Sequence, residues 1–95
     1  MTSSIPQLTL YTTADCPRCA QARALLRGAG LQWREVRIDS GRAALREFAR
    51  VARGARTVPQ LALDGCLVGD LATIEALHRE GRLAKLGMEH PGSVG

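Results

Sequence analysis

Apolar and polar residues along the chain follow two alternating spacings, and each change of spacing coincides with a turn signal. Residues 7–12 carry Leu8, Leu10 and Tyr11 and read as a strand, followed by a loop over residues 12–15. Residues 17–28 open on Pro17 and read as a helix with Cys19, Ala20, Ala24 and Leu25 on one face, stopped by Gly28 and Gly30. Residues 31–38 alternate imperfectly through Leu31, Trp33, Val36 and Ile38 and read as a second strand. Asp39-Ser40-Gly41 is a turn in which Asp39 or Ser40 is expected to cap a helix over residues 43–53. Its inward face is expected to be Ala44, Leu45, Phe48, Ala49 and Ala52. After a loop at 54–57, residues 58–63 read as a strand with a proline near its start. Asp64-Gly65 marks a tight hairpin, and residues 66–68 form its return strand, ended by Gly69-Asp70. A third helix is expected over residues 73–80, with Ile74, Leu77 and His78 inward, closing at Gly81; residues 83–86 add a short turn.

This order, β-α-β-α-β-β-α, predicts an α/β fold built on one four-stranded mixed sheet. The strand-helix-strand start demands a parallel pair joined by a right-handed crossover, and the hairpin adds an antiparallel pair. Helices are expected on both faces. The 95 residues suit a single domain with its core over about 7–87, a mobile lead-in at 1–6 and a disordered tail at 89–95.

Composition narrows the function classes. Apolar residues make up 45% of the chain but aromatics only 3% (Tyr11, Trp33 and Phe48), so the core must be mostly aliphatic. There is no apolar run long enough to span a membrane, and the first residues have neither the basic start nor the apolar centre of a secretion signal. A cytoplasmic setting is expected, where a disulfide is catalytic or sensory rather than structural. The net charge of +4 comes from twelve arginines dispersed along the sequence and a single lysine. Without a basic run or interleaved aromatics, this is not a nucleic-acid binder. The arginines read as a solvated surface, or as steering for anionic partners near the cysteines.

The candidate chemistry lies in Cys16-Pro17-Arg18-Cys19. Pro17 suits the first helical position, which places Cys16 at the N-cap, where free N–H groups and the positive end of the helix dipole favour a thiolate. One turn further, Cys19 is within reach of a mixed disulfide on Cys16. Zinc is not expected, because Cys66, His78 and His90 form no second ligand pair at metal spacing. A purely structural disulfide would close only a tiny loop. The reading is therefore a dithiol/disulfide pair, with Cys16 the nucleophile and Cys19 the resolving thiol. Arg18 favours the Cys16 thiolate, and Asp15 opposes it. Pro59 after Val58 reads either as strand punctuation or as a cis bond that leaves the Val58 backbone to pair with a thiol-bearing peptide. Cys66 reads as a small strand residue or as an exposed third thiol. Trp33 reads as packing, His78 as a half-buried helix residue and His90 as part of the tail.

Tyr11-Thr12-Thr13-Ala14-Asp15-Cys16-Pro17-Arg18-Cys19, then Thr57-Val58-Pro59-Gln60 with Asp64-Gly65, then Val68-Gly69 leading into residues 74–77 and Gly81-Arg82-Leu83, resemble a glutaredoxin. The resemblance runs in order from about residue 8 to 86. It implies a thioredoxin fold and glutathione-linked reduction of protein disulfides or glutathione mixed disulfides, in a monomer whose partners are glutathione and disulfide-bearing or glutathionylated proteins. It makes Cys16 the site that is glutathionylated and Cys19 the resolving thiol, with Thr57, Val58 and a cis Pro59 against the glutathione backbone. The family usually has lysine where this chain has Thr13, and tyrosine or phenylalanine where it has Arg18. Its Gly-Gly-Ser/Cys-Asp-Asp stretch reads Gly69-Asp70-Leu71-Ala72-Thr73. Ala72 and Thr73 are then expected to offer N–H groups to the γ-glutamyl carboxylate, and Arg18 or Arg56 to stand in partly for the lysine. Two rival readings follow: a glutaredoxin-like redoxin reduced by thioredoxin reductase for one partner such as ribonucleotide reductase, and, less favoured, an iron–sulfur carrier.

Overall fold

A computed structural model describes residues 6–88. Its elements are β1 (Leu8–Thr12), α1 (Pro17–Gly28), β2 (Arg34–Arg37), α2 (Arg42–Val51), β3 (Gln60–Leu63), β4 (Cys66–Asp70) and α3 (Leu71–Arg79), followed by a 3-10 turn, Ala84–Met88. The strands form one mixed sheet in the order β2-β1-β3-β4, with β1 and β2 parallel and the other pairs antiparallel. The expected fold is the observed one: a thioredoxin-type sheet with helices on both faces. The lead-in at 1–5 and the tail at 89–95, with His90, lie outside the described residues.

The period of two along β1 and β3 divides the core. Leu8 and Leu10 pair across the sheet with Leu63 and Leu61, and all four point to one face. There they meet Ala22 and Leu26 of α1, Ile74 of α3, and Leu31, Leu83 and Leu86. On the other face, Tyr11 and Ala62 pack against Phe48 and Ala52, the α2 side, with the Tyr11 and Phe48 rings edge-on at 5.5 Å. β1, covered on both faces, is buried throughout.

Several expectations differ from the observed elements. The second strand starts at Arg34, because Leu31 donates its N–H to the Leu26 carbonyl at 3.0 Å and folds under the end of α1. Neither Asp39 nor Ser40 caps α2. Ser40 Oγ donates to the Arg37 carbonyl at 2.6 Å, Asp39 is held by Arg37 and the Ala14 N–H, and Gly41 takes the cap position without a side-chain bond. The inward face of α1 is Cys19, Ala22 and Leu26, while Ala20 and Ala24 face solvent. Leu45 and Ala49 of α2 are also exposed, and so is His78 of α3. The third helix starts at Leu71, two residues before the expected point, because Asp70 caps it.

Candidate active site at the head of the first helix

β1 ends at Thr12, and the chain turns through Thr13-Ala14-Asp15 to deliver Cys16 to the N-cap of α1. The turn is tied down from the β2 side. Ala14 N–H donates to Asp39 Oδ2 at 3.1 Å, and Arg37 holds the same carboxylate at 3.1 and 3.2 Å. Cys16 has an extended backbone, Pro17 follows at the first helical position, and the Cys16 carbonyl accepts the Ala20 N–H at 3.1 Å. The cap side chain is the thiol itself, since Cys19 N–H donates to Cys16 Sγ at 3.2 Å. A sulfur in this position faces first-turn amides that have no acceptor within the helix.

The two thiols differ sharply. Cys16 is partly open to solvent, Cys19 is fully buried, and both are reduced. Burial pushes Cys16 up, but hydrogen bonds onto its sulfur from the Cys19 thiol, the Cys19 and Arg18 N–H groups and the Thr13 hydroxyl outweigh it. The net result holds the thiol below its ordinary value. Cys19 is pushed up to about 11, first by burial and then by its hydrogen bond to Cys16 and the negative charge there. A hydrogen bond from the Thr13 backbone and the Arg23 guanidinium pull Cys19 the other way.

Arg23 follows Cys19 by four residues on α1, so its side chain leans back toward the sulfur. Glu35 of β2 fixes it, accepting from Arg23 Nε at 2.9 and 3.0 Å and from Nη2 at 2.6 Å. Glu35 also accepts from Thr12 Oγ1 at 3.1 Å and Trp33 Nε1 at 3.3 Å. Arg27 in turn lies 6.0 Å over the Trp33 ring. Sequence reading placed Trp33 in packing and missed this cluster, because the Glu35–Arg23 pairing joins a strand to a helix across twelve residues.

At Arg18, two residues after Cys16, opens a cleft of about 340 Å³ lined by Arg18, Thr57, Val58, Pro59, Asp70, Leu71, Ala72 and Glu75; Cys16 and Cys19 are not among its lining residues. The Val58–Pro59 bond is cis. Five of the expected residues, Arg18, Thr57, Val58, Pro59 and Ala72, thus share one cavity. Thr73 does not line it, and its N–H and hydroxyl are both within reach of Asp70 Oδ1, at 3.1 and 3.2 Å. Asp70, Leu71 and Glu75 are lining residues that the sequence did not assign to the site; Asp70 three residues before Thr73 is a helix-start signal that could have found the first.

Gly69 shapes this wall of the cleft. Leu61 pairs with Gly69 but Ala62 with Leu67, so Val68 is an extra residue in a β-bulge. Gly69 has φ of +149°, and a Cβ there would come within 2.6 Å of Thr73 Cβ. Only glycine lets the strand turn this tightly into α3. Cys66 lies at the other end of β4, exposed. Among the described residues no three of His, Cys, Asp and Glu gather where a metal ion could be held, and no helix is long and apolar enough to cross a membrane.

Comparison with known proteins agrees with this geometry. The family model described as Glutaredoxin matches residues 8–68. The chain is 41% identical over 83 residues to a glutaredoxin of Pseudomonas aeruginosa, covering 86% of this chain and 96% of that one. It is 39% identical over 77 residues to Glutaredoxin 3 of Escherichia coli, covering 81% and 92%. Among solved structures, glutaredoxin from Brucella melitensis superposes with a TM-score of 0.73 at 28% identity over 99% of both chains. A buckwheat glutaredoxin–glutathione complex superposes with a TM-score of 0.74 at 21% identity, covering 87% of this chain and 77% of that one. With a capped Cys-Pro-Arg-Cys pair beside a cis proline, on this sheet and with these relatives, the chain belongs to the glutaredoxin family of thiol–disulfide oxidoreductases.

Proposed function

We propose that this protein reduces protein disulfides and glutathione mixed disulfides, with Cys16 as nucleophile, Cys19 as resolving thiol and glutathione as the electron source. The observation that carries the assignment is the Cys16 sulfur at the cap of α1, accepting the Cys19 N–H while Cys19 lies buried beneath it. The Cys16 thiolate attacks one sulfur of the substrate disulfide, forms a mixed disulfide and expels the other sulfur as a thiolate, which takes up a proton. Cys19 then loses its proton and attacks Cys16 Sγ, closing the Cys16–Cys19 disulfide and releasing the second substrate thiolate. One glutathione thiolate reopens that bond as a Cys16–glutathione mixed disulfide and restores Cys19. A second attacks the glutathione sulfur, leaving as glutathione disulfide and returning the Cys16 thiolate.

The cleft at Arg18 is the glutathione site in this reading. The Val58 backbone pairs with the glutathione cysteine, and Thr57 and Pro59 flank it. Arg18 faces one carboxylate of the tripeptide, and the amides of Leu71 and Ala72 at the head of α3 face the other. Asp70 and Glu75 suit the γ-glutamyl ammonium. The buckwheat relative of the same fold is a glutathione complex, which supports glutathione as the ligand. A reducing compartment, the cytoplasm, is where such a dithiol is kept ready.

The test is reduction of a glutathione mixed disulfide coupled to glutathione reductase. Wild-type protein is expected to turn over, Cys16→Ser to lose all activity, and Cys19→Ser to keep reduction of glutathione mixed disulfides while losing that of protein disulfides. Loss of both activities in Cys19→Ser would overturn the roles given to the two thiols. Turnover with thioredoxin reductase and NADPH alone would overturn the glutathione assignment.

A further inference from the structure

The face of α2 turned away from the sheet carries a concentration of positive charge that the spread of arginines along the sequence conceals. Arg42, Arg46 and Arg50 recur every four residues, so their side chains leave the helix within one sector of about 80°. All three are exposed, and Arg42 and Arg46 have no ion-pair partner among the described residues. Arg53 and Arg56, also exposed, continue the charge into the loop that follows. The one acid of α2, Glu47, is turned to the sheet, where Tyr11 Oη donates to it at 2.8 Å and Arg34 is its ion-pair partner. Asp39, before the helix, is bound to Arg37 and to the Ala14 N–H.

Directly beside this sector the helix is apolar. Leu45, at 52% relative exposure, is the one large hydrophobic residue exposed among the described residues. With Ile38, Phe48, Ala49, Ala55 and Arg56 it borders a groove of about 350 Å³. The two residues after Arg56, Thr57 and Val58, line the cleft that Arg18 also lines. Groove and cleft are therefore joined by consecutive residues of one loop.

We propose that this face docks an acidic segment of the protein whose disulfide is reduced at Cys16, with a leucine-sized side chain of that segment in the groove and its carboxylates on Arg42 and Arg46. The proposal names the substrate class and rests on the assignment of Cys16 as nucleophile. Charge complementarity selects the occupant. Single-stranded nucleic acid would need exposed aromatic rings to stack on, but Tyr11 and Phe48 are buried and Trp33 is engaged with Glu35 and Arg27 on another part of the molecule. A membrane surface would need more buried apolar area than one leucine supplies. A polypeptide with acids around one apolar anchor satisfies both halves of the patch.

Binding of a short cysteine-free peptide, with aspartates and glutamates around a single leucine, separates docking from redox chemistry. With the isotope-labelled protein, the backbone amides of residues 45–56 are expected to shift on titration. Arg42→Glu/Arg46→Glu is expected to weaken binding by about tenfold or more, since each exposed pair contributes a fraction of the affinity. Leu45→Ser is expected to weaken it severalfold, and a version of the peptide with lysines for the acids is expected not to bind. These variants should reduce a small disulfide such as hydroxyethyl disulfide at the wild-type rate. Unmoved amides, unchanged affinity in the double variant, or equal binding of a single-stranded oligonucleotide or of anionic phospholipid vesicles would overturn the proposal. Peptide binding without reduction of any disulfide would instead overturn the Cys16 assignment and leave the docking surface standing.

Discussion

Cys16 and Cys19 carry the same functional group, and their surroundings separate them. The Thr13 hydroxyl is one of the donors that hold the Cys16 thiol below its ordinary value. Thr13→Val keeps the volume and removes that donor. A net hydrogen bond of about 1 kcal/mol corresponds to about a fivefold smaller thiolate population at pH below the thiol's own midpoint. Alkylation of Cys16 by iodoacetamide, followed against pH, is expected to slow by that order, with its midpoint moved upward; an unmoved midpoint would show that the hydroxyl contributes nothing. In the wild type the rate should rise with pH as the thiolate forms, and the lowered value of the thiol moves that rise to lower pH. Arg23 acts on both sulfurs, Cys19 ahead of Cys16. In a Cys16→Ser/Cys66→Ser background, Arg23→Gln is expected to raise the Cys19 value further, read from thiolate absorbance, because the favourable charge beside it is lost. In the full dithiol protein the same change should slow reduction of protein disulfides more than the glutathione mixed-disulfide reaction, in which a second glutathione rather than Cys19 resolves the Cys16 mixed disulfide.

The helices owe their starting points to single cap residues, and two of those caps belong to the site. Cys16 caps α1 with sulfur, and Asp70 caps α3 by accepting from the Thr73 N–H and hydroxyl. Asp70→Ala removes a capping carboxylate, at a cost of about 1 kcal/mol. In a chain of this size that lowers the thermal midpoint by about 4–8 °C. Because Asp70 also lines the cleft, the KM for the glutathione substrate is expected to rise. A lower midpoint with an unchanged KM would confine Asp70 to the cap. The bulge at Val68 and the crowding of Gly69 against Thr73 explain how a strand can run into α3 without an intervening loop.

At the scale of the molecule, a sheet with helices on both faces holds the dithiol at one end of its central strands. Leu26, fully buried, ties α1 to the sheet through the larger of the two apolar clusters. Leu26→Ala is expected to cost about 2–5 kcal/mol, a large share of the about 5–15 kcal/mol of a small domain. Urea unfolding should show a lower midpoint with an unchanged slope; a loss under about 1 kcal/mol would mean that the cluster collapses into the space. The charge is distributed at the same scale: arginines scattered in sequence gather on one face of α2 because four-residue spacing returns to the same side of a helix.

The sequence by itself determined whatever depends on neighbours along the chain: the element order, the Asp64-Gly65 hairpin, the proline-led helix with Cys16 at its cap, and the apolar alternation of β1. These follow from backbone conformation and spacing, which act over a few residues. The tertiary structure decided which of several apolar sets is buried. Ala22 and Leu26 were chosen over Ala20 and Ala24, and Phe48 and Ala52 over Leu45 and Ala49, because helix rotation answers to the sheet beneath it. It also decided the partners of side chains that had a local alternative. Asp39 and Ser40 could have capped α2, but Ala14 and Arg37 hold them instead. Glu35 finds Arg23 and Thr12 only when β2 is laid beside β1. A residue with two possible partners is assigned by which of them the packed core brings within about 3 Å, a distance that the order of residues does not contain.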